Sequence, residues 1–325
     1  MKDILIIIVL FAAMIFSLPL LKHLSPVRDT NSLNEATEPD FPAVFPDKVR
    51  IYLTETDDIA EISAAEYIEG CLAAQIPINY HPEALKAQAS ASATYALRLM
   101  RELTGSGILP DGADISDDKQ LCQPYMPEDK RIETYGSDYA KYREVIQTAA
   151  AYGISHIITY DGEPIYAVYH SVSAGGTCPS DCVWGRALPY LRRADSPWDR
   201  AFPHFECRNE IKAEEIRSAL AHYDSGIEIP VDPARWFTEM NADENGYVIS
   251  VNIGKNKFSG GDLWRILGLR STAFTVSYEN GIFTFVTRGF GHGAGLSQFG
   301  ADAMAASGST AEQIIAHYYI GASLT

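Results

Sequence analysis

The chain has 325 residues, 46% of them hydrophobic and 21% charged, enough apolar material for one large globular domain or two ordinary ones. Its 42 acidic residues against 26 basic ones leave a formal charge of −16, and no basic run interrupts the excess. A chain that neutralises phosphates needs a basic face, so nucleic acid is excluded as a partner.

Ile4 to Leu21 carries no charge over 18 positions, with Lys2 before it and Lys22 and His23 after it. That length suffices for a membrane-crossing helix and exceeds a usual signal core, and no small-x-small site ends it. Residues 1–21 are therefore expected to be an uncleaved single-pass anchor in the cell membrane, with the bulk of the chain on the extracytoplasmic side. Residues 22–47 are polar and dotted with proline, and read as a flexible tether. The folded part is expected over 48–322.

VRIYLT, Val49–Thr54, alternates like a strand. Ser63, with Glu66 three positions on, has the pattern of a reciprocal helix cap, starting a helix through AAEYIEGCLAAQ that Pro77 ends. Pro82 suits the first position of a second, longer helix, PEALKAQASASATYALRLMREL. Residues 104–127 read as loop, and a helix is expected over Tyr139–Ala151. ISHIITYDGEPIYAVYHSVSAGG reads as two β-rich runs around Asp161-Gly162. Residues from about 200 to 260 have their own rhythm, with a helix near AEEIRSALAHY and strands near YVISVNIG, and suggest a small inserted subdomain. A hairpin across Glu279–Gly281 and a last helix from about Thr310 to Tyr319 complete an α+β chain of mixed sheets and helices.

Two stretches carry chemistry. In GFGHGAGLSQFGA the glycines let the backbone take positive φ and approach a ligand, while His292, Ser297 and Gln298 offer neutral hydrogen-bonding groups suited to hydroxyl-rich substrates. The same residues equally describe a tight turn around a buried, satisfied histidine. In HSVSAGGTCPSDCVWG, His170, Cys178 and Cys182 suit a tetrahedral zinc site short of its fourth ligand. Free thiols or a Cys178–Cys182 disulfide fit that spacing as well. The five cysteines at irregular spacing form no disulfide framework. No nucleophile elbow, phosphate-binding loop, HExxH or dinucleotide fingerprint is present.

Taken together, YIEGCLAAQIP with EALKAQA, CQPY at 122–125, YDGEPIYAVYHSVSAGGT, VWGRALPYL and GFGHGAGLSQFGADAMAASG resemble, in order, the motifs of the SpoIID/LytB family. The resemblance runs from about residue 49 to 322. It implies a membrane-anchored lytic transglycosylase acting on peptidoglycan glycan strands in wall remodelling during sporulation and engulfment. One carboxyl would protonate the glycosidic oxygen and then, as carboxylate, take the proton of the sugar's C6 hydroxyl, closing a 1,6-anhydro ring. The resemblance implies partners among other wall hydrolases and sporulation membrane proteins. It implies substrate contacts at Gln123, Tyr125, Ser171, Ser173, His292, Ser297 and Gln298. For His170, Cys178 and Cys182 it adds weight to zinc as a cofactor.

At the position of the family's catalytic Glu the chain has Gln75, and where the family usually has an Arg on the second helix it has Ala93. An amide cannot serve as acid and carboxylate base near neutral pH. Three readings follow: a transglycosylase using another acid, with Glu69 nearest in the chain; a catalytically silent relative that binds glycan and assists other wall hydrolases; or a Gln75 that only ends a helix beside some other ligand.

Overall fold

A computed structural model describes residues 43–325. The expected anchor and residues 22–42 of the tether lie outside the described residues. Among the described residues no helix is long and apolar enough to cross a membrane. The chain divides into two compact units, one ending at Ala167 and regaining Ala322–Thr325, the other running from Val168 to Gly321.

The first unit opens with strand β1 (Lys48–Leu53), whose Val49 and Ile51 are buried between exposed Lys48 and Arg50. That period of two is what a half-buried strand requires. β1 pairs antiparallel with β2 (Asp58–Ser63) and parallel with β3 (Ile115–Ser116), in the order β2-β1-β3. Both partners lie in stretches too short or too acidic to announce a strand by pattern.

Helix α1 (Ala64–Gln75) starts where the side chain of Ser63 accepts from the Glu66 amide, and ends at Ile76 before Pro77. The cap is one-sided: the Glu66 carboxylate goes to Arg131 and Tyr125, not back to Ser63. Helix α2 (Pro82–Leu103) has proline in its first turn and a His81 side chain accepting from the Glu83 amide. Helix α4 (Tyr139–Ile154) follows α3 (Glu128–Tyr135), a helix hidden in a run with few apolar residues. A Cβ on Gly153 of α4 would lie 2.4 Å from the Ala89 carbonyl carbon, so α4 meets α2 backbone to backbone. The small Ala and Ser residues of α2 make that approach feasible.

The hairpin across Asp161-Gly162 joins β4 (Ile158–Tyr160) to β5 (Glu163–Pro164), both turn residues having positive φ as the tight mirror-image turn demands. β14 (Ser323–Leu324) returns to pair with β4.

In the second unit β6 (Tyr169–His170) pairs parallel with β13 (Leu296–Ser297). A short helix, α5 (Ser180–Trp184), interrupts what reads as loop in the sequence. β7 (Glu206–Lys212), β11 (Ala273–Glu279) and β12 (Ile282–Arg288) form a sheet in the order β11-β12-β7, its hairpin turning on Asn280 and Gly281, both at positive φ. A second sheet orders β10 (Asn256–Phe258), β9 (Val248–Ile253) and β8 (Phe237–Ala242).

Helices α6 (Ala213–Tyr223) and α7 (Gly260–Leu267) contribute to one core with these sheets: Ile216, Leu220, Trp236, Val251, Leu263, Trp264, Phe274 and Phe285 all belong to it. The stretch of about 200–260 thus shares its core with residues up to Phe285. Helices α8 (Gln298–Ala306) and α9 (Ala311–Tyr318), the latter with a reciprocal Thr310–Gln313 cap, close the unit.

Candidate functional site

Unit 1 gathers Gln75, Gln123, Tyr125 and Glu69. Gln75 ends α1 and is 5% exposed. Its Nε2 donates to the Pro124 carbonyl at 2.9 Å and to Gln123 Oε1 at 3.4 Å. Gln123, also buried, donates through Nε2 to the Ser92 carbonyl of α2 at 3.0 Å and to the Tyr67 hydroxyl at 3.3 Å. Carbonyls only accept, so Pro124 and Ser92 dictate which way each amide points.

The loop that follows lies flat on α1. Tyr125 stacks on Tyr67 with ring centroids 5.8 Å apart and donates to Glu66 at 3.3 Å. The Met126 amide donates to the Gly70 carbonyl, and a Cβ on Gly70 would sit 2.3 Å from the Tyr125 ring. Only glycine leaves room for the loop there.

Glu69 lies six positions before Gln75, about 240° round the helix. Its carboxylate accepts from Arg131 at 2.9 Å, and Arg131, itself 2% exposed, also binds Glu66. Burial raises the Glu69 carboxyl above its usual range, and the guanidinium opposes that rise. Arg131 went unrecognised in the sequence because its helix has no apolar stripe to mark it. Ala93 is fully buried, so no guanidinium takes the place that the resemblance gives to Arg.

Unit 2 gathers His170, Ser171, Ser173, His292, Ser297, Gln298 and the two thiols. His292 is 5% exposed and spends both ring nitrogens on backbone: Nε2 donates to the Tyr169 carbonyl at 2.9 Å, and Nδ1 accepts from the Ala294 amide at 3.2 Å. Burial lowers it to about 4, so the ring is neutral. This is the buried, satisfied histidine that the glycine pattern also allowed. The glycines make the turn: Gly295 has φ +71°, and a Cβ there would lie 2.0 Å from the Val168 carbonyl oxygen.

His170 differs. Its Nδ1 donates to the Ala294 carbonyl at 3.1 Å, while Nε2 is buried with no hydrogen-bond partner. Burial, and then the neighbouring His292, lower its pKa well below the ordinary value. The two rings stand 5.6 Å apart, and Trp184 adjoins His292 at 5.3 Å.

Cys178 donates to the His292 carbonyl at 3.4 Å and is fully buried, which pushes its thiol up. Burial, then Asp181, raises Cys182 to about 11. Both thiols are free. Among the described residues no group of three or more His, Cys, Asp and Glu side chains is placed to hold a metal ion.

The Ser173 amide donates to Asp199 Oδ2 at 2.8 Å, and the Ser173 hydroxyl accepts from the Gly175 amide. Asp199 is fully buried, and burial raises its carboxyl against hydrogen bonds from Ser173, Ser297 and Ser196. It had no sequence signal, being one acid among many. Ser297 caps α8 by accepting from the Gly300 amide, and Gln298, 2% exposed, begins that helix. The Ser171 carbonyl accepts from the Phe299 amide, so the two motif stretches are stitched together through backbone.

These features define an α+β protein in which one unit carries a buried helix-end amide clamp and the other a glycine turn around a neutral histidine pair. A family model described as stage II sporulation protein matches residues 52–160, from β1 through β4. The stage II sporulation protein D of Bacillus amyloliquefaciens is 34% identical over 281 residues, covering 86% of this chain and 79% of that protein. Its namesake in Bacillus subtilis is 31% identical over the same shares. An amidase enhancer of Bacillus subtilis is 23% identical, covering 79% of this chain and 40% of its own. The chain belongs to the stage II sporulation protein D family.

Proposed function

We propose that this sporulation protein engages the glycan strands of peptidoglycan during wall remodelling, assisting wall hydrolases without itself cutting the strand. The observation that carries the reading is Gln75: at the position of the family's acid stands an amide whose N–H is committed to the Pro124 carbonyl. It has no proton to give to a glycosidic oxygen and no carboxylate with which to take one from a C6 hydroxyl. The similarity to an amidase enhancer supports the assisting role.

A second reading keeps the lytic transglycosylase activity with Glu69 as its acid. Its support is the raised carboxyl of Glu69; the Arg131 pair and the placement of Glu69 on another face of α1 weigh against it. The test is to incubate the full chain in detergent with glycan strands stripped of stem peptides and examine them for 1,6-anhydro ends by mass spectrometry. Binding without such ends is expected. Products that vanish on Glu69→Gln would establish the second reading instead.

The proposal includes a structural Zn²⁺ held by His170, Cys178 and Cys182. The support is donor chemistry alone, since the three side chains do not converge as a metal-holding group in this structure: with Nδ1–H on the Ala294 carbonyl, His170 Nε2 keeps its lone pair free, as a metal-bound imidazole requires. Both thiols would lose their protons on binding, and the ion would supply a cross-link between β6 and the α5 turn. Zinc content that does not fall in Cys178→Ser would remove this site. The placement of the chain on the outer face of a membrane, held by residues 1–21, belongs to the same proposal; protease protection of the bulk of the chain in intact cells would refute it.

A further inference from the structure

Arginine is paired differently in the two units. In the first, Arg50, Arg98, Arg101, Arg131 and Arg143 each meet a carboxylate. In the second, the guanidinium of Arg270 meets none among the described residues, and its buried Nε has no hydrogen-bond partner. Arg192 and Arg235 also lack an acid there, but they are exposed to water, whereas Arg270 is partly withdrawn from it.

Aromatic rings hold it. The guanidinium carbon lies over the Phe290 ring, 4.8 Å from its centroid, and 5.9 Å from that of Phe202. Phe202 in turn meets Phe299 edge-on at 5.1 Å. The Arg270 carbonyl accepts from the Gly291 amide, so the residue is anchored at the glycine turn. Rings attract a cation through their faces and accept no hydrogen bond in its plane, so the N–H edge of the fork is left for an acceptor. The guanidinium and the three rings are partly exposed, and an acceptor can reach them. A second guanidinium, that of Arg200, lies against Gly175, where an added Cβ would be 2.7 Å from its Nε. It has no carboxylate partner among the described residues either, because the adjacent Asp199 is buried and accepts from the Ser173 amide.

From this arrangement we infer that Arg270 is an anion-binding residue, taking a carboxylate of the peptidoglycan strand in a bidentate pair while Phe202 and Phe290 hold the guanidinium. The planar fork matches a carboxylate, and a cation stripped of part of its water gains most from a charged acceptor. A chain of formal charge −16 also needs a local cation to meet an anionic polymer. That carboxylate is the lactyl group of a muramic acid without its stem peptide, or one within a stem peptide. The inference rests on the proposed function for the identity of the polymer.

The experiment measures Kd for the full chain in detergent micelles with three soluble probes: glycan strands stripped of stem peptides, strands that retain them, and stripped strands whose carboxyls are converted to neutral amides. Wild type is expected to bind a carboxylate-bearing probe about tenfold tighter than the neutral one, the size of a charge-assisted pair. The tighter of the two charged probes names the source. Arg270→Met should abolish the preference. An Arg270 that only packs would weaken all three probes alike and leave their ratio intact; that result, or a wild type without preference, overturns the inference. Should Arg270→Met not fold, Arg270→Lys decides, since it keeps the charge without the planar fork: the preference is expected to fall, and an unchanged preference overturns the inference.

A wild type that binds no strand refutes the proposed function instead, and NMR of arginine 15Nε then decides. N-acetylmuramic acid is expected to shift the Arg270 resonance, identified by its loss in the variant, and N-acetylglucosamine, which lacks the carboxylate, to leave it in place. A resonance moved by neither sugar, or equally by both, overturns the inference.

Discussion

The end of α1 and the His292 turn hold their polar side chains by different means. At α1 side chains meet one another as well as backbone: the Pro124 and Ser92 carbonyls orient Gln75 and Gln123, the two amides also touch, and Arg131 gathers Glu66 and Glu69. At the turn the histidine is held by backbone alone: His292 lies between the Tyr169 carbonyl and the Ala294 amide. A side-chain network can be retuned by one substitution, because each of its donors and acceptors belongs to one residue type. A backbone cradle resists retuning, because its donors and acceptors are the same for every residue type.

This contrast can be broken by experiment. The largest expected effect is Arg131→Met, which leaves Glu66 and Glu69 without their counter-ion and should cost about 3–5 kcal/mol in denaturant unfolding. A loss below about 1 kcal/mol, the level of an exposed pair, would mean that charge does not hold the first region together.

Gly295→Ala tests the second region. It forces an L-residue into positive φ with its Cβ against the Val168 carbonyl, and a loss of about 2–3 kcal/mol is expected. Near-neutral stability would show that the turn yields.

Gln75→Leu takes the donor from two buried acceptors and should cost about 1–2 kcal/mol. Hydrogen exchange should quicken at Met126 while Phe299, bonded to Ser171, stays protected.

The smallest effect concerns pH. Burial raises Asp199, so the native state holds its proton at pH values where the unfolded chain has released it. That share of stability is present below the ordinary aspartate value and is lost as pH rises through the folded midpoint. Asp199→Asn should flatten the slope of unfolding midpoint against pH from about 4 upward, and an unchanged slope would assign it to other groups.

Much of this organisation was legible in the residues. Helices α1, α2 and α9 and the turns at Asp161-Gly162 and Asn280-Gly281 carry local signals, namely caps, prolines and residues that tolerate positive φ, and α4 was legible from its periodicity. β2 and β3 carry none, since pairing with β1 creates them, and α3 has an acidic first turn and a glycine at its end but no apolar stripe to announce it. The cap at Ser63 was half legible: its hydroxyl acts as the pattern requires, but Glu66 is drawn away by an arginine 65 positions downstream. The family resemblance marked Gln123, Tyr125 and Ser173, and residue type and spacing marked His170 and His292, without showing which nitrogen or oxygen of each is occupied.

By itself, then, the sequence determined that this chain is a member of its family and that its first helix ends in an amide, because the identity of residue 75 is a covalent fact. Tertiary structure alone decided what that amide does. Two acceptors from a loop some 48 positions away converge on it, and hydrogen-bond direction depends on which groups meet in space rather than on their order along the chain.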